Sequence, residues 1–263
     1  SLKNFFNIYE VAVVSENEHY YKGSKSAFDA TNTTPVMFDS DKLNKYVLKA
    51  VDEKQLDATT VVLLLNANTE VGSADLFPPD SYDSKTDYAS GFGIAACGLG
   101  LGDGGSVLLH EFGHAFAKLD EEYVQDGGAI SAASIKDKQK MAEMGWWSNV
   151  DFTSDLGKIK WASYVNDSRY ASQHIGAYEG AATYAIGVWR PTETSIMNND
   201  YDGYNAPSRE TFYRRIHKLA LGSSWTFDIE EFKKWDLEHS TPSTRSAAPK
   251  RSIQKRVSDI RVH

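Results

Sequence analysis

His110 and His114 stand four residues apart, with Glu111 directly after the first, in the stretch LLHEFGHAFAKLDEEY from Leu108 to Tyr123. In a helix, residues i and i+4 share one face about one turn apart, so both imidazoles reach a single ion. Such nitrogens bind Zn2+ at roughly 2.0–2.1 Å in tetrahedral geometry. Glu111 projects about 100° round the helix from His110, where its carboxylate holds a water at the ion. A metal lowers the pKa of that water toward roughly 7, and the glutamate takes its proton as the water attacks a carbonyl. This is the mechanical content of H-E-x-x-H, which makes Glu111 the candidate general base and acid.

A catalytic zinc site uses three protein ligands and leaves one position open. In the metzincin pattern H-E-x-x-H-x-x-G-x-x-H, the third ligand follows ten residues after the first histidine. That position is Asp120 here, and the turn glycine of the pattern is Ala117. A Cβ resists the left-handed turn that glycine permits. A turn one residue longer presents Glu121, and Glu122 is third by spacing. Asp120 and Glu121 therefore stand as alternatives for the third ligand. Read without a metal, the three acids are solvated charges closing a helix. They oppose the helix dipole at about 0.3–1 kcal/mol each, so they require a cation nearby.

Ser195-Ile196-Met197 follows a Pro-bearing loop some way downstream. Metzincins carry a methionine turn beneath the metal after the zinc helix, and Met197 falls in that order. Tyr201 and Tyr204 come next. Either hydroxyl can stabilise an oxyanion, and aromatic packing is the competing role. His174 and His217 read as ordinary polar residues, and Cys97 reads as a small buried apolar one.

These residues need elements to hold them. Asn7–Ser15, NIYEVAVVS, alternates and is β-rich, which predicts a strand. Ser40–Glu53 has Leu43, Tyr46, Val47 and Ala50 at helical spacing, with Ser40 as the expected cap. TTVVLLLNAN predicts a buried strand, and EVGSADLFPPDSYDSKTD a polar loop. Gly93–Cys97 predicts a strand, either buried or at an edge where it pairs with an extended substrate. The zinc helix follows, capped by Asp103 or Ser106. Beyond Tyr123 the sequence reads as loop-rich and aromatic, with a helix over Ser208–Leu221 capped by Ser208. The expected fold is α/β (α+β): a twisted sheet, the active-site helix and a loop-rich C-terminal lobe. Residues 1–239 read as one catalytic domain in two lobes, about 1–123 and 124–239.

The chain has 263 residues, a net charge of −8 and one cysteine. It is long enough to bury a sizeable core, too acidic for general nucleic-acid binding, and unable to form an intrachain disulfide. No apolar run is long enough to span a membrane. Residues 240–263 carry six Lys/Arg against one Asp and read as a solvated basic tail, with attachment to an anionic surface as a weaker idea. Ser1 in place of Met leads to the expectation that an N-terminal signal has been removed.

HEFGHAFAKLDEEY, IGAYEGAATYAIGVWRP and TSIMNND together resemble the bacterial IgA-peptidase family of zinc metallopeptidases, and FFNIYEVAVVS and KLNKYVLKAVDE…TTVVLLLNAN are similar to its opening strand-helix-strand. The resemblance covers most of residues 4 to 235. It implies a secreted, periplasmic or surface-attached bacterial endopeptidase with a metzincin-like core and one catalytic Zn2+. It carries over His110 and His114 as ligands and Glu111 as acid/base. The family's Ala-Asp-Glu-Tyr stands against Asp120-Glu121-Glu122-Tyr123 here, which sets the family's aspartate at Glu121. Glu179, within a family motif, is either a carboxylate orienting a ligand histidine or the cap of a turn. The implied partner is a protein or peptide, such as a host glycoprotein of the immunoglobulin kind. The rival from another class is a non-catalytic carbohydrate- or protein-binding module that keeps zinc as a structural ion. The intact Glu111 counts against it, because a structural site has no use for that residue.

Overall fold

The computed structural model describes residues 2–17, 25–31, 33, 35–100, 104–199, 202–240 and 260–263. In chain order the first elements are α1 (Ser40–Val47), β1 (Thr60–Leu65), β2 (Gly72–Phe77), β3 (Phe92–Gly98) and α2 (Gly104–Ala115). There follow β4 (Val124–Ala129), α3 (Ala132–Ala142), β5 (Tyr178–Ala181) and β6 (Thr183–Arg190). Then come α4 (Ile196–Asn199), α5 (Ala206–Leu221), α6 (Ile229–His239) and β7 (Ile260–Val262). The fold is mixed α and β, with two mixed sheets. The chain divides into two compact units, Ser1–Ser81 with Ser90–Phe116 and Lys255–His263, and Tyr82–Ala89 with Ala117–Gln254. No helix among the described residues is long and apolar enough to cross a membrane.

The first unit is built on a sheet in the order β1-β3-β2-β7. β1 runs parallel to β3, β2 antiparallel to β3, and β7 parallel to β2. Every residue of β3 is buried, and Gly93, Ala95 and Cys97, which alternate onto the same face, keep that face low enough for α2 to pack on β3 and β2. Leu63, Leu65, Ile94 and Phe92 meet Leu43 and Val47 of α1 in the core. Asp39 caps α1, its carboxylate accepting from the Lys42 amide at 3.0 Å, one residue before the expected cap Ser40.

Four expectations are corrected here. Asn7–Ser15 forms no strand with any of the described residues, because a period-two pattern favours a strand only where a neighbour completes the ladder. The stretch expected as a polar loop contains β2, whose buried Gly72–Leu76 segment is short and interrupted by Ser73 and Asp75. β3 has β1 on one side and β2 on the other, so both its ladders are filled and it cannot serve as an edge for substrate. β1 is half-exposed rather than fully buried: Leu63 and Leu65 point inward while Val62 and Leu64 face out, as an alternating strand must.

The second unit is more regular than its sequence suggested. β4, β6 and β5 form a sheet in that order, and α3 follows, capped by Ser131. β4 reads VQDGGA, a run with little apolar content, which is why its pairing with β6 was not legible. α5 begins at Ala206, two residues before the expected cap. Asn205 caps it instead, accepting from the Ser208 amide at 3.0 Å, and Pro207 sits in the first turn, where no amide hydrogen is needed. Trp146, Trp161, Tyr164, Tyr170 and Phe232 form the buried aromatic body. Arg209 grips the buried Asp236 of α6 with two hydrogen bonds, 2.6 and 2.7 Å, and so ties α5 to α6.

Candidate metal centre

α2 is a helix because GGSVLLHEFGHA carries no proline and places Val107, Glu111, His114 and Ala115 on its packed side. Asp103 lies outside the described residues, and Ser106 sits inside the helix rather than at its cap. His110, Glu111 and His114 are all buried. The two imidazoles face each other with Nε2 atoms 2.9 Å apart, their rings at 74°. Two nitrogens on one tetrahedral zinc ion stand roughly 3.4 Å apart, so the pair needs to open by only a few tenths of an ångström.

Of the two candidate acids, Glu121 is the one that the turn after α2 brings to the histidines. The helix ends at Ala115, and the left-handed residue is Lys118, at φ 53°, rather than Ala117. The turn is one residue longer than in the metzincin pattern, which shifts the ligand position by one. His110, His114 and Glu121 accordingly offer ligand atoms that all lie within 4.8 Å of one another. Asp120 is directed elsewhere: its Oδ2 pairs with Lys138 at 2.5 Å and its Oδ1 accepts from the Glu121 amide at 3.0 Å. Lys138 is thus a cation of the kind the three acids require.

The backbone of this turn is fixed on several sides. Asn149 clamps Asp120, accepting from its amide and donating to its carbonyl, both at 2.8 Å. The Ala182 amide donates to the Glu121 carbonyl at 2.7 Å, and the Trp147 amide to the Lys118 carbonyl at 2.9 Å. Lys118 itself is fully buried, with its ammonium over the Trp146 ring. Glu122 is fully buried as well. It accepts from the Ser195 hydroxyl at 2.6 Å, from Asn149 at 3.0 Å and from Asn205 at 3.1 Å. Burial pushes its carboxyl above the usual carboxylate range, while these donors and Arg190 oppose the rise. The Glu122 amide donates to the Met197 carbonyl at 2.9 Å, and Asn198 donates to the Glu122 carbonyl at 2.6 Å. Met197, fully buried, is therefore tied by backbone to the residue after Glu121.

Glu111 rests on β2. A Cβ at Gly72 would overlap its carboxylate and stand 2.8 Å from its Cγ and Cδ, so glycine is what makes room for this side chain. Burial, and after it the nearby Glu111 charge, pushes the Cys97 thiol up to about 12, which keeps Cys97 protonated and inert. Glu179 lies in the β5–β6 hairpin, and its carboxylate accepts from the Gly187 amide at 3.0 Å. The Tyr204 ring packs on Phe212 at 4.7 Å, and Tyr201 lies outside the described residues. The spacing argument did not reach Gly72, Lys118, Asn149 or Asn205. The only hint was Ala117, where the expected glycine is missing.

Two imidazoles and one carboxylate are the donor set of catalytic zinc sites in which a fourth position stays open, so the residues present fit such an ion. No protein-family model matches the chain, and no curated protein matches it.

Proposed function

We propose that the chain is a zinc-dependent metalloendopeptidase with a metzincin-like core. The observation that carries this reading is the convergence of His110, His114 and Glu121, with Glu111 buried beside them against Gly72. His110, His114 and Glu121 would hold the ion. Zinc, when bound, supplies a Lewis acid that polarises a carbonyl oxygen and acidifies water. Glu111 accepts the proton of the attacking water and returns it to the amine of the departing peptide. Its burial and its seat on Gly72 restrict the carboxylate to one position, which general-base catalysis rewards. The methionine-turn role of Met197 is supported by its bond to Glu122, next to the third ligand. The resemblance to the IgA-peptidase family supports a secreted or surface location and a protein substrate, including glycoproteins of the immunoglobulin kind.

The test is cleavage of a diverse quenched-fluorescent peptide library by wild type and Glu111→Gln, with zinc content measured in both. Cleavage by wild type alone, at equal zinc content, is the expected result. Equal turnover in Glu111→Gln, or no turnover by zinc-loaded wild type on any peptide or protein substrate, rejects the reading.

A further inference from the structure

The outer edge of β2 is occupied by β7, in the register Ala74 to Ile260, Asp75 to Arg261 and Leu76 to Val262. The His263 amide extends the ladder to the Leu76 carbonyl at 3.0 Å. Side chains two apart on a strand share a face. Arg261 and His263 are such a pair, and both reach Asp75. The guanidinium lies 2.6 Å from Oδ2 and the imidazole Nε2 lies 2.7 Å from Oδ1. The Asp75 side chain is only 5% exposed, and these are its hydrogen-bond partners among the described residues.

Each of these two side chains also meets a second neighbour. Arg261 also donates to the Val36 carbonyl at 2.9 Å and stands 5.7 Å over the Phe38 ring. The His263 ring stacks on Phe77 at 4.6 Å, 12° from parallel. A buried carboxylate without a cation is costly, so any strand added to this edge must bring a basic residue opposite Asp75. Backbone hydrogen bonds along an edge are blind to sequence, and alternate side-chain pockets supply the choice. The same β2 carries Gly72, which seats Glu111, three residues before Asp75, or roughly 10 Å along the strand.

We infer that the outer edge of β2 is a docking site for extended peptide segments bearing arginine and, two residues later, histidine, and that residues 260–263 are its internal occupant. Resting on the peptidase reading, this edge selects basic substrate segments through Asp75, and residues 260–263 compete with them.

The experiment uses the full chain and a fluorescein-labelled synthetic peptide with the sequence of residues 257–263, followed by fluorescence anisotropy. The double variant Arg261→Ala/His263→Ala should bind this peptide at least tenfold more tightly than wild type. A peptide with alanine at both positions should not bind. Arg261→Lys keeps the charge but loses the guanidinium that bonds Asp75, Val36 and Met37 together, and should fall between the two proteins, which gives a second route if the double variant is poorly folded. The peptide should also raise the Tm of the double variant toward that of wild type. Equal binding of the two peptides, or no binding to either variant, overturns the inference. Peptide binding with no turnover of any library peptide or protein by the zinc-loaded chain leaves the docking site standing and removes the peptidase reading. Cleavage at equal rates in wild type and double variant, with no peptide binding, does the reverse.

Discussion

Replacing Gly72 by alanine adds one methyl group on β2, at a position whose backbone lies outside the left-handed region and so accepts alanine without strain. The added carbon would stand 2.8 Å from Glu111 Cγ and Cδ, against 3.4–4 Å for ordinary contact, and closer still to Oε1. β2 is held on both sides by its ladders, and α2 is packed on it, so the flexible side chain is what yields. The Glu111 carboxylate must move by about 1 Å, and a misplacement of that size costs on the order of a hundredfold in rate. That equals about 2.7 kcal/mol of transition-state stabilisation. Overpacking adds a stability loss of about 1–3 kcal/mol. The zinc ligands are not touched, so zinc content should be unchanged. The assay is kcat/KM on the best peptide from the library, with zinc measured by mass spectrometry and folding by circular dichroism. A Gly72→Ala protein that is folded, zinc-loaded and as active as wild type would refute the placement of Glu111 against β2.

The remaining predictions concern the turn, the network beside it and the buried thiol. Glu121→Ala should lose zinc on dialysis whereas Asp120→Asn keeps it, because Asp120 is committed to Lys138; metal content after dialysis separates the two. Glu122→Ala strands the donors of Ser195, Asn149 and Asn205 and should cost about 3 kcal/mol. Thermal unfolding should then show a Tm lower by roughly 6–12 °C, and an unchanged Tm would contradict the network. The folded Cys97 thiol titrates at about 12 against its usual 9.0, so the folded state retains the proton that the unfolded chain releases. Its contribution to stability is constant below pH 9 and falls as pH rises from there toward 12, by about 1.4 kcal/mol per pH unit. Urea unfolding of wild type and Cys97→Ala at pH 8 and pH 10 measures this, and wild type alone should carry the extra alkaline loss.

The His110–Glu111–His114 arrangement was legible in the sequence because helical periodicity is local: four residues make about one turn whatever lies beyond them. β1, β3 and the body of α5 were legible for the same reason, since their apolar runs are continuous and their caps are near. β2 and β4 were not, because Ser73, Asp75 and the Gly127–Gly128 pair look like loop until a neighbouring strand supplies the ladder. The sequence narrowed the third ligand to Asp120 or Glu121, and Ala117 warned that the turn differs. Choosing between them required knowing that Lys118 takes the left-handed conformation and that Lys138 claims Asp120. Those contacts reach to Lys138, Trp147 and Asn149 in sequence, and no local rule spans such distances. The basic stretch after Ser240 reads as solvated by composition, yet Ile260–Val262 pair with β2, while residues 241–259 lie outside those described. Composition measures what a segment tolerates, and only the buried Asp75 on a distant strand decided what its last residues bind.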